Sequence, residues 1–274
     1  MVVNRQQTHT TTSQRFQDQV VLITGGTSGI GATTASLFLA QGAKLFNTDL
    51  EERNIKSSLG SKNVDFYKCD VSSPEDCEAA VKACVDIHGR IDILFHNAGI
   101  LCQPAEVPDQ DVALFQKVLL TNLGGLFYLS RAAIPYMRKQ GKGSIIATAS
   151  TSGLSGAMAL SPYAASKAGI INLVKTMALD RAKDGIRINA VAPGYTNTPM
   201  TAPFAGLPAL RDAMLSRIPM GRAAKPEEVG RAVLFLASED ASFTTGHVLP
   251  VDGGTSADCS GAPDTIKHLA AMQG

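Results

Sequence analysis

Tyr163 and Lys167 stand four residues apart in the run Ser161-Pro162-Tyr163-Ala164-Ala165-Ser166-Lys167. In a helix, that spacing places both side chains on one face. A free phenol titrates near ~10 and a free ammonium near ~10.4. A cation beside the phenol favours phenolate, so the tyrosine pKa is expected to fall. A tyrosine tuned this way takes a proton from an alcohol or returns one to an alkoxide. Helix surfaces carry many such pairs, so taken alone the pair also fits an ordinary solvated face. The rest of the chain must decide.

A second group of residues suits an anion. Thr24-Gly25-Gly26-Thr27-Ser28-Gly29-Ile30-Gly31 joins the apolar run 20–24 to a helical pattern. Gly25, Gly29 and Gly31 allow a tight turn and close approach of backbone to a pyrophosphate. A helix starting near Gly29 aims free N–H groups and its positive end at that anion. Asp49 ends the next predicted strand. A carboxylate there accepts hydrogen bonds from the adenosine ribose and repels a 2′-phosphate. Leu50 follows it rather than Arg, and the glycine loop has no basic residue, so NAD is expected over NADP. Arg53, the nearest basic residue, would soften that preference. Asp70-Val71 and Asn97-Ala98-Gly99 follow two further predicted strands. Ligands bind at such carboxyl ends in open α/β sheets, although simple turns would look the same.

The elements that must hold these residues alternate. Strands are predicted at 20–24, 44–49, 64–68, 91–95, 144–148, 186–191 and 247–251. Helices are predicted at 29–41, 74–88, 109–139, 161–183 and 226–237. Asn122 falls inside the third of these helices. Seven strands alternating with helices predict a parallel sheet covered on both faces, an α/β doubly wound domain. Residues 16–254 are expected to form it. Residues 1–15 read as a disordered extension and 255–274 as a C-terminal extension, with a short helix possible at 264–272 burying Ile266, Leu269 and Ala270.

Bulk composition narrows the function. The formal net charge is +1, so no basic surplus points to nucleic acid or an anionic membrane. A small-molecule ligand is expected instead. No run looks long and apolar enough for a signal peptide or a membrane span. The cysteines are five and none is spaced Cys-x-x-Cys, which argues against a disulfide framework or a structural metal site. A reducing, cytoplasmic setting fits them.

Taken in order, Thr24-Gly25-x-x-x-Gly29-Ile30-Gly31, Asp70, Asn97-Ala98-Gly99, Asn122, Ser150, Tyr163-x-x-x-Lys167 and Pro193-Gly194 resemble the short-chain dehydrogenase/reductase family. The resemblance spans residues 16–254 and implies a single Rossmann domain and a homotetramer. It implies that Tyr163 is the acid/base group and that Lys167 lowers its pKa and holds the nicotinamide ribose. It implies that Ser150 binds the substrate oxygen and that Asn122 organises a water linking Lys167 to solvent. Gly25, Thr27, Ser28, Gly29, Ile30, Gly31, Asp49, Leu50, Asp70, Val71, Asn97, Ala98 and Gly99 would hold the dinucleotide. Thr196 and Thr198, after Pro193-Gly194, would meet the carboxamide. Two positions depart from the family pattern. His96 stands where Asn is frequent and reads as a structural substitute. Thr196 stands where Ile or Val is usual.

The implied chemistry is hydride transfer between NAD(H) and a secondary alcohol or ketone. Apolar residues in 154–160 and 198–219, Phe204 and Leu207 among them, are expected to wall an alicyclic or aromatic substrate, the second stretch as a mobile lid. A non-catalytic NAD-binding or scaffold protein is the alternative. The intact set Asn122, Ser150, Tyr163 and Lys167 speaks against it. Enoyl reductases of similar fold resemble Tyr-x6-Lys and sugar epimerases Gly-x-x-Gly-x-x-Gly; neither spacing occurs here.

Overall fold

The computed structural model describes residues 14–52 and 63–257. Arg53, Cys259, the N-terminal residues 1–13 and the expected helix at 264–272 lie outside the described residues. Seven strands form one parallel sheet: β1 Val20–Thr24, β2 Lys44–Asp49, β3 Val64–Lys68, β4 Ile93–His96, β5 Gly143–Thr148, β6 Ile186–Pro193 and β7 Val248–Val251. Their order is β3-β2-β1-β4-β5-β6-β7. The chain winds outward from β1 in one direction and from β4 in the other. The crevice between the carboxyl ends of β1 and β4 is therefore the topological switch point, where such sheets bind ligands.

Strand side chains alternate between two cores. Val20 and Leu22 face α2 (Pro74–His88), α4 (Gly125–Gln140) and α6 (Ser161–Arg181), and join Cys77, Leu129 and Ile170 there. Val21 and Ile23 face α1 (Gly29–Leu39) and α9 (Pro226–Ala237), and join Phe38 and Val233. The strands are buried on both faces, so they read as continuous apolar runs. Helix α2 begins where Ser73 accepts the Asp76 amide at 3.1 Å, with Pro74 in its first turn.

Two expectations need correction. The helix expected at 109–139 is two helices, α3 (Val112–Leu119) and α4, joined by a π turn at Leu120–Gly124. Asp111 caps its start by accepting the Leu114 amide at 2.6 Å. By length and composition the stretch Val112–Gln140 is also apolar enough to cross a membrane, contrary to the expectation that no run is. Leu126, Leu129, Ala133 and Met137 bury one face of it against the sheet, as a core helix does. The stretch 198–219, expected as a mobile lid, contains α7 (Ala202–Ala205) and α8 (Pro208–Ser216). A four-residue helix, α5 (Thr151–Leu154), follows β5.

Candidate active site

A cleft of about 470 Å³ opens above the switch point. One wall is the turn between β1 and α1. Gly25 and Gly29 have φ of +63° and +52°, backbone that favours glycine. A Cβ on Gly31 would lie 2.0 Å from the Gly25 carbonyl oxygen, so the turn closes only on glycine. Ser28, Gly29 and Ile30 line the cleft where α1 begins, and this cradle suits a pyrophosphate.

Asp49 lines the cleft from the end of β2. Its Oδ2 accepts from the Thr27 hydroxyl at 2.5 Å, and its Oδ1 from the Leu50 amide at 2.8 Å. The carboxylate is thus aimed before any ligand arrives, and no cation stands against it among the described residues. Asp70 and Val71 continue the same wall. Asp70 also accepts from the Ser72 amide and hydroxyl, at 2.9 and 2.7 Å.

At the other end Ser150, Tyr163 and Lys167 meet. Ser150 caps α5, accepting the Ser152 amide at 3.1 Å. A Cβ on Gly153 would lie 2.6 Å from the Lys167 carbonyl carbon, so α5 packs directly on α6 and carries Ser150 to the phenol. Ser150 lies beside Tyr163 in the cleft and favours its phenolate. Lys167 lies 5.5 Å from the Tyr163 ring centroid and donates to the Thr148 carbonyl at 2.7 Å.

The electrostatics differ from the expectation that Lys167 lowers the Tyr163 pKa. Burial pushes the phenol up, and the neighbouring Ser150 hydroxyl offsets part of that. Burial also pulls the lysine down to about 8, because the ammonium has lost water and gained no carboxylate. A lysine that donates to a carbonyl does not offset the burial of its neighbour. At neutral pH the phenol is protonated, ready to protonate an alkoxide.

Asn122 is fully buried behind this trio, inside the π turn. Its Oδ1 accepts from the Ile100 amide at 2.8 Å. Its Nδ2 donates to the Ile100 carbonyl and to the Ser166 hydroxyl, both at 3.0 Å. His96 links the same turn to β1. Its Nε2 lies 3.0 Å from the Asn122 carbonyl and its Nδ1 3.3 Å from the Thr24 hydroxyl. That hydroxyl already accepts the Asn97 and Ala98 amides at 3.1 Å, so its own proton goes to Nδ1 and Nε2 carries the ring proton. Burial lowers the His96 pKa to about 4. A neutral, doubly bonded ring supports the structural reading of His96 over a catalytic one.

Pro193, Gly194, Thr196 and Thr198 close the cleft from β6 and the turn after it. Of the expected cofactor and catalytic residues, Thr27, Gly31 and Asn122 stand behind the lining and act through Asp49, the loop and the Ile100 segment. Sequence reasoning missed Cys69, Ser72, Ile100, Lys117, Thr121, Thr148 and Ala149, which also line the cleft. Most directly flank a motif residue, which was the signal available. Lys117 had none: the π turn brings it there. Of the two stretches expected to wall the substrate, only 198–201 reach the cleft.

Comparison with known proteins agrees with this geometry. A family model described as "Enoyl-(Acyl carrier protein) reductase" matches residues 25–256. A 3-oxoacyl-(acyl-carrier-protein) reductase of Thermotoga maritima is 41% identical over 247 residues, 88% of this chain and 98% of that protein. The chain belongs to the short-chain dehydrogenase/reductase family. A second family member, cis-4-hydroxycyclohexanecarboxylate dehydrogenase of Sinomonas cyclohexanicum, is 38% identical over 89% of this chain and 99% of its own length. The crystal structure of levodione reductase superposes with a TM-score of 0.84, at 37% identity, covering 89% of this chain and 99% of that one. As a short-chain dehydrogenase/reductase, the protein is an oxidoreductase of alcohols and ketones. The family implies a nicotinamide dinucleotide as cofactor, and the glycine cradle fits one.

Proposed function

We propose that the protein transfers hydride between NAD(H) and a secondary alcohol or ketone, with Tyr163 as the acid/base group. The observation that carries this is a single cleft with Asp49 at one end and the Ser150–Tyr163–Lys167 cluster at the other. The dinucleotide, when bound, supplies or accepts the hydride. Gly25, Ser28, Gly29 and Ile30 hold its pyrophosphate, and Asp49 the adenosine ribose. Asp70, Val71, Asn97, Ala98 and Gly99 line its path, with Thr196 and Thr198 beyond Pro193-Gly194. Tyr163 gives its proton to the forming alkoxide in reduction, or takes one in oxidation. Ser150 steadies the oxygen. Lys167 exchanges protons readily, since its pKa of about 8 lies near neutrality.

Asp49, anchored by Thr27 and with no cation against it among the described residues, favours NAD over NADP. The four-residue Tyr163–Lys167 spacing supports carbonyl chemistry rather than the enoyl reduction named by the family model. An apolar alicyclic or aromatic substrate is proposed from Ile100, Pro199 and Met200 in the cleft and from the relatives' names. Residues 16–254 are taken as the catalytic unit. A homotetramer is proposed from apolar side chains left exposed on the helices around Asn122, Val112, Leu120 and Phe127. The cytoplasm is proposed because the cysteines among the described residues are free thiols. The test is absorbance of reduced nicotinamide with cyclic secondary alcohols and ketones, using NAD or NADP. Turnover with NADP alone would refute the reading of Asp49. Dinucleotide binding without turnover on any alcohol or ketone would refute the catalytic reading.

A further inference from the structure

Strand β2 presents two polar side chains on its α1 face, two residues apart, beneath consecutive residues of the glycine loop. Asp49 meets Thr27 and is satisfied. Asn47 meets Gly26 and is not. Asn47 is fully buried, and neither its Oδ1 nor its Nδ2 has a hydrogen-bond partner. A Cβ on Gly26 would lie 2.4 Å from Asn47 Oδ1, so the loop runs directly over the amide. The loop is also loosely held there. Gly25 donates to the Thr48 carbonyl at 2.9 Å, but Gly26 reaches the same oxygen only at 3.5 Å and the Thr27 amide reaches Asp49 Oδ2 at 3.4 Å. A buried unpaired amide costs free energy, and apolar neighbours such as Ile23 offer no relief.

We propose that Asn47 is a positioning residue for the dinucleotide: its amide pairs with the Gly26–Thr27 backbone in the bound form of the loop and is unpaired in the free form. An interaction made in only one of two states biases the equilibrium toward it. Asn47 thus links the pyrophosphate, which never touches it, to the floor of the loop. A side chain at position 26 would displace the amide. This inference rests on dinucleotide binding at the cleft and not on the choice of NAD or NADP.

The tests are Asn47→Leu, close in shape and without polar atoms, and Asn47→Ser, smaller and unable to overpack. Two readouts are taken: thermal unfolding of the free protein, and affinity for NADH and for NADPH by fluorescence titration. The free protein of Asn47→Leu is expected to melt no lower than wild type. Its affinity for whichever dinucleotide binds wild type is expected to fall roughly three- to tenfold, the weight of one net hydrogen bond. With cofactor saturating, kcat should stay within about twofold, since the amide does not touch the reacting atoms. A merely structural asparagine would lower the melting temperature and spare the affinity. Unchanged affinity in Asn47→Leu overturns the proposal; if that variant does not fold, unchanged affinity in Asn47→Ser overturns it. Failure of wild type to bind either dinucleotide would instead sink the reading of the cleft.

Discussion

Replacing Lys167 by Met should inactivate the enzyme and yet stabilise its fold at low pH. The ammonium is buried with a carbonyl as its hydrogen-bond partner and no carboxylate. Its pKa falls from 10.5 to about 8 on folding. The folded value is the lower one, so between these limits the unfolded chain holds more protons and stability rises with pH. Below about 8 the full cost of the buried charge applies. At ~1.4 kcal/mol per pKa unit, that cost is about 3 kcal/mol at pH 6.5 and about 1 kcal/mol at pH 9.5. Wild type should therefore gain about 2 kcal/mol on Lys167→Met between pH 6.5 and pH 9.5. The packing and hydrogen-bonding changes of the substitution are common to both pH values and cancel in that difference. Urea unfolding of both cofactor-free proteins at the two pH values measures it. A flat difference, or wild type losing ground as pH rises, would show that Lys167 is not a desolvated, unpaired cation in the free enzyme.

Other substitutions probe the remaining groups. Tyr163→Phe should lower kcat by roughly 10²–10⁴-fold and leave NADH affinity near wild type, measured by turnover and fluorescence titration. Asp49→Ser should shift the NAD-to-NADP ratio of kcat/KM toward NADP by roughly tenfold, through loss of the charge that opposes a 2′-phosphate. His96→Leu should leave the Thr24 hydroxyl and the Asn122 carbonyl unpaired, at about 1–3 kcal/mol each. At roughly 2–4 °C per kcal/mol, calorimetry would see it as a clearly lower Tm. His96→Asn should fall much less, because an amide can both donate and accept; equal losses would contradict the structural role assigned to the ring.

Much of this arrangement is legible from residue types. Continuous apolar runs such as Val20-Val21-Leu22-Ile23 are what a strand buried on both faces requires, so the parallel sheet follows from them. Glycines that permit the turn at 25–31 mark the phosphate end, and every residue expected to hold the cofactor or act in catalysis lies in the cleft or directly behind it, whereas most of the expected substrate wall does not. Two things were not legible. A helical pattern does not reveal a π turn, because its one extra residue leaves the apolar stripe nearly intact; only Gly124-Gly125 hinted at it. The sign of the Tyr163 shift depends on burial, and the i, i+4 spacing carries no information on how much water reaches the pair. Segment 198–219 shows the same limit, since its prolines start α7 and α8 rather than keeping a free loop.

The π turn at Leu120–Gly124 also makes chain length a fixed quantity in the middle of a helix. Deleting one residue there would restore regular α geometry and give the helix a better ladder of its own. It would also rotate α3 against α4 by about 100°. Lys117 and Thr121 would then swing out of the cleft, or Leu126 and Leu129 out of the core. Gly125 holds the second half in place, since a Cβ there would lie 3.0 Å from both His96 and Val71. Chimeras spliced from this chain and its relatives must therefore conserve residue count through Val112–Gln140, as strictly as if the segment were a tight hairpin.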